Sequence, residues 1–129
     1  MNRIMKHQPF SLMKRLKSFC YAFNGLRILF KEEHNSRIHL AAAIVVIIAA
    51  IYLDLNPYEL IAIIFSIGLV IITEIINTAI ESIADFISPG QDERIRKIKD
   101  LAAAAVLVSV ITAVTIGVMV FISKIRLCF

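Results

Sequence analysis

The chain has 129 residues, 59% of them hydrophobic, and a mean hydropathy of +0.81. Soluble domains run nearer ~45–50% apolar, so the excess calls for a solvent other than water. The length excludes a large multidomain enzyme, four Gly and three Pro exclude a disordered or collagen-like chain, and the charge of +4 raises nucleic acid as a partner.

From the N-terminus, the first patterned segment spans about 11–36. Leu12, Leu16, Phe19, Phe23, Leu26 and Phe30 recur at spacings of three and four, with Lys14, Arg15, Lys17 and Arg27 largely elsewhere on the wheel. That pattern predicts an amphipathic helix lying on a membrane surface, its basic residues near anionic lipid. A helix packed on a partner domain is the alternative. The first 30 residues hold no apolar core of the signal-peptide kind, so a cleaved leader is not expected. Cys20 and Cys128 lie far apart, without the spacing of a disulfide framework or a zinc site.

Three spans follow, at about 38–55, 58–86 and 99–123. The last is the clearest, because 101–123 is uncharged and its 23 residues give about 34 Å of helix, enough for a hydrocarbon core of ~30 Å. Asn56-Pro57 separates the first two spans, since Pro57 lacks an N–H and disfavours helix at the residue before it. Ser88-Pro89-Gly90 breaks the second from the third. Eight Lys and Arg precede residue 38, none lies in the loop 54–59, four lie in 81–100 and two in the tail. The N-terminus and the second loop are therefore expected in the cytoplasm, with Lys124 and Arg126 a mild exception outside. Because the basic residues follow topology rather than a groove-sized patch, nucleic-acid binding is discounted.

The second span carries acids where none should be. Glu74 interrupts an apolar run and is followed by Asn77, Glu81 and Asp85. At about 100° per residue, offsets of 3, 7 and 11 place all four within an arc of roughly 80°. An ionised group at bilayer depth costs several kcal/mol, so such a stripe must face a polar cavity. A helix emerging into water explains Glu81 and Asp85 but not Glu74 and Asn77 on the same face. Glu32, Glu33, His34, Asn35 and Arg37 lead into the first span, and Lys99-Asp100 directly precedes the uncharged third. Two or more acids can hold Mg²⁺, a lysine can pair with phosphate and another glutamate can accept a proton. Phosphoryl transfer needs that inventory. No Gly-rich phosphate loop accompanies it, and on the residues alone ion or proton transport ranks level with an enzyme.

The run Glu74-Ile-Ile-Asn-Thr-Ala-Ile-Glu81-Ser-Ile-Ala-Asp85 resembles the signature of the small prokaryotic diacylglycerol kinase family, which also contains undecaprenol kinases. The likeness extends upstream to 18–25, through the acidic approach to the first span, and downstream to Lys99-Asp100-Leu-Ala-Ala-Ala-Ala-Val-Leu, covering roughly residues 12–122. It implies an all-α membrane protein with an N-terminal surface helix and three transmembrane helices, assembled as a homotrimer. It also implies Mg²⁺-dependent transfer of the γ-phosphoryl group of ATP to a membrane-lipid hydroxyl, at the cytoplasmic face of a bacterial inner membrane. Diacylglycerol is the nominal acceptor, with undecaprenol as the alternative. By resemblance, Glu74 is the general base. Glu81 holds metal with Glu33, for which Glu32 is the competing choice. Lys14, Asn77, Asp85, Lys99 and Asp100 form the nucleotide site. Lys14 stands where the family has an arginine, keeping charge without the bidentate fork. Ala102 and Ala103 replace residues that are often Gly or another small side chain, and the loop 88–96 lacks a common Tyr-His pair. Ala102, Ala105, Ser109 and Thr112 are expected to give the third span a small-residue face for close packing.

Two readings from other classes compete. A transport subunit would carry its acidic relay across the whole bilayer, whereas here the acids gather in one half. A non-catalytic assembly subunit would be indifferent to replacement of Glu74 by Gln.

Overall fold

A computed structural model describes residues 11–90 and 92–128, all helix but for short connections. Arg3 and Lys6, counted above for topology, lie outside the described residues. Helix α1 covers Leu12–Glu32, α2 His34–Tyr52, α3 Pro57–Ile87 and α4 Glu93–Cys128. The last three are each long and apolar enough to cross a membrane, and the chain is a membrane protein.

The joints follow local chemistry. A single extended residue, Glu33 (φ −94°, ψ 117°), separates α1 from α2, where the helix dipole of α2 favours negative charge. Expectation placed this joint a few residues later. Between α2 and α3 the chain turns through Asp54 at φ 48°, a left-handed conformation that Asp tolerates better than most residues. Asn56 then caps α3. Its Oδ1 accepts the backbone N–H groups of Tyr58 and Glu59, both at 3.0 Å, while Glu59 Oε2 accepts the Asn56 N–H at 2.8 Å. With Pro57 in the first helical position, this reciprocal capping box makes a firm start. Asp92 does the same for α4, its Oδ1 accepting the Arg94 N–H at 2.8 Å.

Helix α4 therefore begins at Glu93 and ends at Cys128, outreaching the expected span at both ends. Hydropathy marks where a helix leaves the bilayer, not where it ends, and Glu, Arg and Lys in the extension are good helix formers.

Helices α3 and α4 form the main antiparallel pair, with α2 laid on α3 and α1 in contact with α2 and α3. The side chains buried in α2 are Ser36, Ala43 and Ala50, seven apart, and their small size lets the backbones approach. On α4 the contact line runs through Ala102 and Ser109. Ala105 and Thr112 of the expected small-residue face are exposed, because a seven-residue repeat along the pair leaves those positions on the flank. Ser109 Oγ meets Thr73 Oγ1 at 2.8 Å and also donates to the Val106 carbonyl at 2.7 Å. Most large apolar side chains of the spans, such as Val45, Phe65 and Leu107, point outward. That is the inverse of a water-soluble core and suits hydrocarbon.

Candidate functional site

Along α3 the polar stripe is laid out by helix rise. From Glu59, in the cap, Glu74 lies about 22 Å along the helix axis and Glu81 about 33 Å. Against a hydrocarbon core of ~30 Å, Glu74 falls inside the apolar layer, short of its far boundary, and Glu81 falls at that boundary.

Glu74 is 4% exposed. Its two oxygens are both engaged by α2: Oε1 stands 3.1 Å from His39 Nε2, and Oε2 accepts the Ser36 hydroxyl at 3.3 Å. Burial without partners would penalise the charged form heavily; here the Ser36 hydroxyl and the His39 ring nitrogen stand against the two oxygens. One helical turn on, Asn77 Nδ2 donates to Glu81 Oε1 at 3.0 Å. The other end of that amide, Oδ1, is buried with no partner, as is the neighbouring Thr78 hydroxyl. An orphaned acceptor of this kind needs a hydrogen-bond donor or a cation.

Farther along, Asp85 Oδ1 pairs with Lys99 Nζ at 2.9 Å, tying the end of α3 to the second turn of α4. Both side chains are partly exposed, and such pairs contribute little stability, so an incoming phosphate competes for Lys99 on easy terms. Asp85, Lys99 and Asp100 line a polar cleft of about 690 Å³ with Asp92, Arg96 and the 88–90 connection. The Arg94 side chain beside Asp92, reinforced by the Arg94 backbone N–H, holds that carboxyl below its ordinary value.

On the opposite side of Glu74 the character reverses. An apolar cleft of about 320 Å³ runs between α2 and α4 over a floor of α3. His39 stands at one end, Phe121 at the other, and between them lie Ala43, Val70, Val110, Val114 and their neighbours. Residues 110 to 121 of α4 give this cleft a length of about 16 Å. The buried carboxylate thus sits where an apolar trough meets a polar stripe.

The other expected site residues take separate places. Glu33 is the half-buried joint between α1 and α2, and Lys14 lies in the first turn of α1, its carbonyl accepting the Ser18 hydroxyl at 3.0 Å. Among the described residues no three His, Cys, Asp or Glu side chains gather as a metal centre. The donors present are oxygens, the Glu81 carboxylate and the orphaned Asn77 carbonyl beside it. They fit Mg²⁺, which binds through one or two carboxylates and fills its octahedron with water and substrate phosphate. Sequence reasoning did not select Ser36 and His39. Their spacing of three on one helix face was the available signal, but only the tertiary structure brings that face to Glu74.

The family model described as prokaryotic diacylglycerol kinase matches residues 20–121. A diacylglycerol kinase of Synechocystis sp. is 39% identical over 103 residues, which are 79% of this chain and 59% of that protein. An undecaprenol kinase of Bacillus subtilis is 34% identical over 113 residues, covering 88% of this chain and 92% of the relative. A diacylglycerol kinase of Escherichia coli is 34% identical over 99 residues, 77% and 81% of the two chains. The match takes in the whole Glu74–Asp85 stripe, Ser36, His39 and the Lys99-Asp100 pair, and the chain belongs to the prokaryotic diacylglycerol kinase family.

Proposed function

We propose that the protein transfers the γ-phosphoryl group of ATP to the hydroxyl of a membrane lipid, at the cytoplasmic face of a bacterial inner membrane and as a homotrimer. The observation that carries this reading is Glu74, a buried carboxylate against His39 at the end of an apolar trough, on the helical stripe that leads through Asn77 and Glu81 to the polar cleft at Asp85. The lipid's chain lies toward the trough, its hydroxyl beside Glu74, and ATP enters from water along Asn77, Asp85, Lys99 and Asp100. Glu74 takes the hydroxyl proton, the lipid oxygen bonds to the γ-phosphorus, and the bond from that phosphorus to the bridging oxygen of ADP breaks. Lys99 and Lys14 hold the polyphosphate as point charges. Glu81, with the Asn77 carbonyl beside it, and Glu33 are the residues that would hold Mg²⁺, which would supply neutralisation of phosphate charge. Neighbouring subunits complete a site that one short chain leaves open. Helix α1 lies on the inner leaflet as an amphipathic surface helix, its exposed Leu12, Leu16, Phe19 and Phe23 in lipid.

Diacylglycerol, giving phosphatidic acid, is the nominal acceptor. Undecaprenol is the second reading, favoured by the Bacillus subtilis undecaprenol kinase, which this chain matches over nearly its full length. A cation relay is disfavoured because beyond Glu74 the trough is lined by apolar residues and Ser66, whose hydroxyl is taken by the Ala62 carbonyl, and α3 has no acid until Glu59. The deciding experiment offers labelled ATP and Mg²⁺ with each lipid separately to purified protein in micelles, beside Glu74→Gln. Label in one lipid, lost in the variant, is the expected result. No label in either with folded protein overturns the reading for these acceptors.

A further inference from the structure

We propose that His39 is a positioning residue for Glu74, donating its Nε2–H to one carboxylate oxygen and so fixing the plane in which the base meets the lipid hydroxyl. This rests on the reading of Glu74 as the base.

The geometry is specific. Glu74 Oε1 lies 3.1 Å from His39 Nε2 and Oε2 lies 3.3 Å from Ser36 Oγ. The last torsion of a glutamate is broad and roughly two-fold, so a single hydrogen bond leaves the carboxylate free to swing. Two donors from consecutive turns of one rigid helix, one to each oxygen, remove that freedom. A carboxylate oxygen accepts more than one hydrogen bond, so both remain able to take a proton from a third group. His39 also forms the end wall of the apolar trough. Its ring therefore stands between the base and the space assigned to the lipid, where a displacement of the carboxylate changes its distance to the reacting hydroxyl. Errors of about 1 Å in such positioning can cost on the order of 100-fold in rate. With Nε2 as donor, the ring is either the Nε2–H tautomer or the imidazolium, and in both states the contact to Glu74 is attractive.

A purely structural histidine predicts something different. It fills space between α2 and α3, so a residue of similar bulk would serve and the loss of a donor would go unnoticed by the chemistry. The test compares His39→Leu, which keeps bulk without a donor, with His39→Gln, which keeps an N–H at comparable reach. Phosphate transfer is measured against ATP and lipid concentration in micelles, with helix content and thermal unfolding as folding controls. Positioning predicts that Leu lowers kcat by about 10- to 100-fold, leaves KM for ATP within about two-fold, and that Gln restores most of the loss. Equal kcat for the Leu and Gln variants, or a change confined to KM for ATP, overturns the role.

A second measurement does not depend on turnover or on a folded Leu variant. Nitrogen-15 spectra of histidine-labelled protein, with the His39 signal assigned by its loss in His39→Gln, are compared between the unmodified chain and Glu74→Gln. A shift of the His39 ring nitrogens is expected, and an indifferent His39 signal overturns the contact itself. Failure of the unmodified protein to phosphorylate either lipid overturns the kinase reading and the role with it. That outcome is distinct from an active protein indifferent to His39→Leu, which overturns the role alone.

Discussion

Glu74 and Glu81 sit on one stripe but in different solvents, and their substitutions should read differently. Glu74→Gln keeps size but exchanges one acceptor oxygen for an N–H donor and removes the proposed base, so kcat should fall by about 10²- to 10⁴-fold with protein still folded, measured by label transfer. Glu81→Gln leaves the Asn77 amide a partner but removes the charge proposed to hold Mg²⁺. Its activity should recover partly at raised Mg²⁺, as a Mg²⁺ titration of transfer would show, whereas Glu74→Gln should not respond. The stripe itself was legible in the sequence, because helical periodicity alone decides that Glu74, Asn77, Glu81 and Asp85 share a face. The partners of Glu74 were not. Ser36 is 38 positions away, and nothing local to 34–39 says which way that face turns until α2 has packed on α3 through Ala43 and Ala50.

At the scale of elements, the ends of the helices were harder to read than their existence. Runs of Ile, Val and Ala mark the spans plainly, but the start of α4 depends on a cap at Asp92 rather than on hydropathy. That cap has a pH signature. Its carboxyl titrates below the ordinary range in the folded chain, so its stabilisation is complete above the unfolded value of about 4. It is lost as pH falls through the lower folded value. Protection of the Arg94 and Ile95 amides from hydrogen exchange, relative to their intrinsic rates, should therefore fall at acid pH, and Asp92→Ala should show that low protection already at neutral pH. The α3–α4 pair carries a second testable joint, the Thr73–Ser109 hydrogen bond. A double-mutant cycle with Thr73→Val and Ser109→Ala should give a coupling near 0.6 kcal/mol and not above about 1.7, the scale found for such bonds within membranes.

For the whole molecule, the outward-facing apolar surface offers the same residues to lipid and to the neighbouring subunits proposed above. If neighbouring subunits complete each site, mixing inactive Glu74→Gln protein with inactive Lys99→Ala protein should restore part of the transfer activity, scored after subunit exchange in micelles. Failure to regain any activity would confine each site to one chain. Topology has its own check. Cysteines introduced at Leu55 and at Pro89 should label from opposite sides of a sealed membrane, with native Cys20 and Cys128 replaced beforehand. Lys124, the apparent exception to that topology, is held at the far end of the molecule: its Nζ donates to the Asp54 carbonyl at 2.8 Å and stands 3.6 Å from Glu59 Oε2. This contact joins residues 70 positions apart and has a consequence for biogenesis. The α2–α3 hairpin leaves the ribosome before the lysine that fastens its turn has been synthesised, so the nascent hairpin enters the bilayer with that turn secured only by its own capping box. With the N-terminus on the cytoplasmic side, as proposed, translocation of Lys124 becomes the closing event of insertion, with the Asp54 carbonyl and the Glu59 carboxylate waiting on the far side to receive its charge.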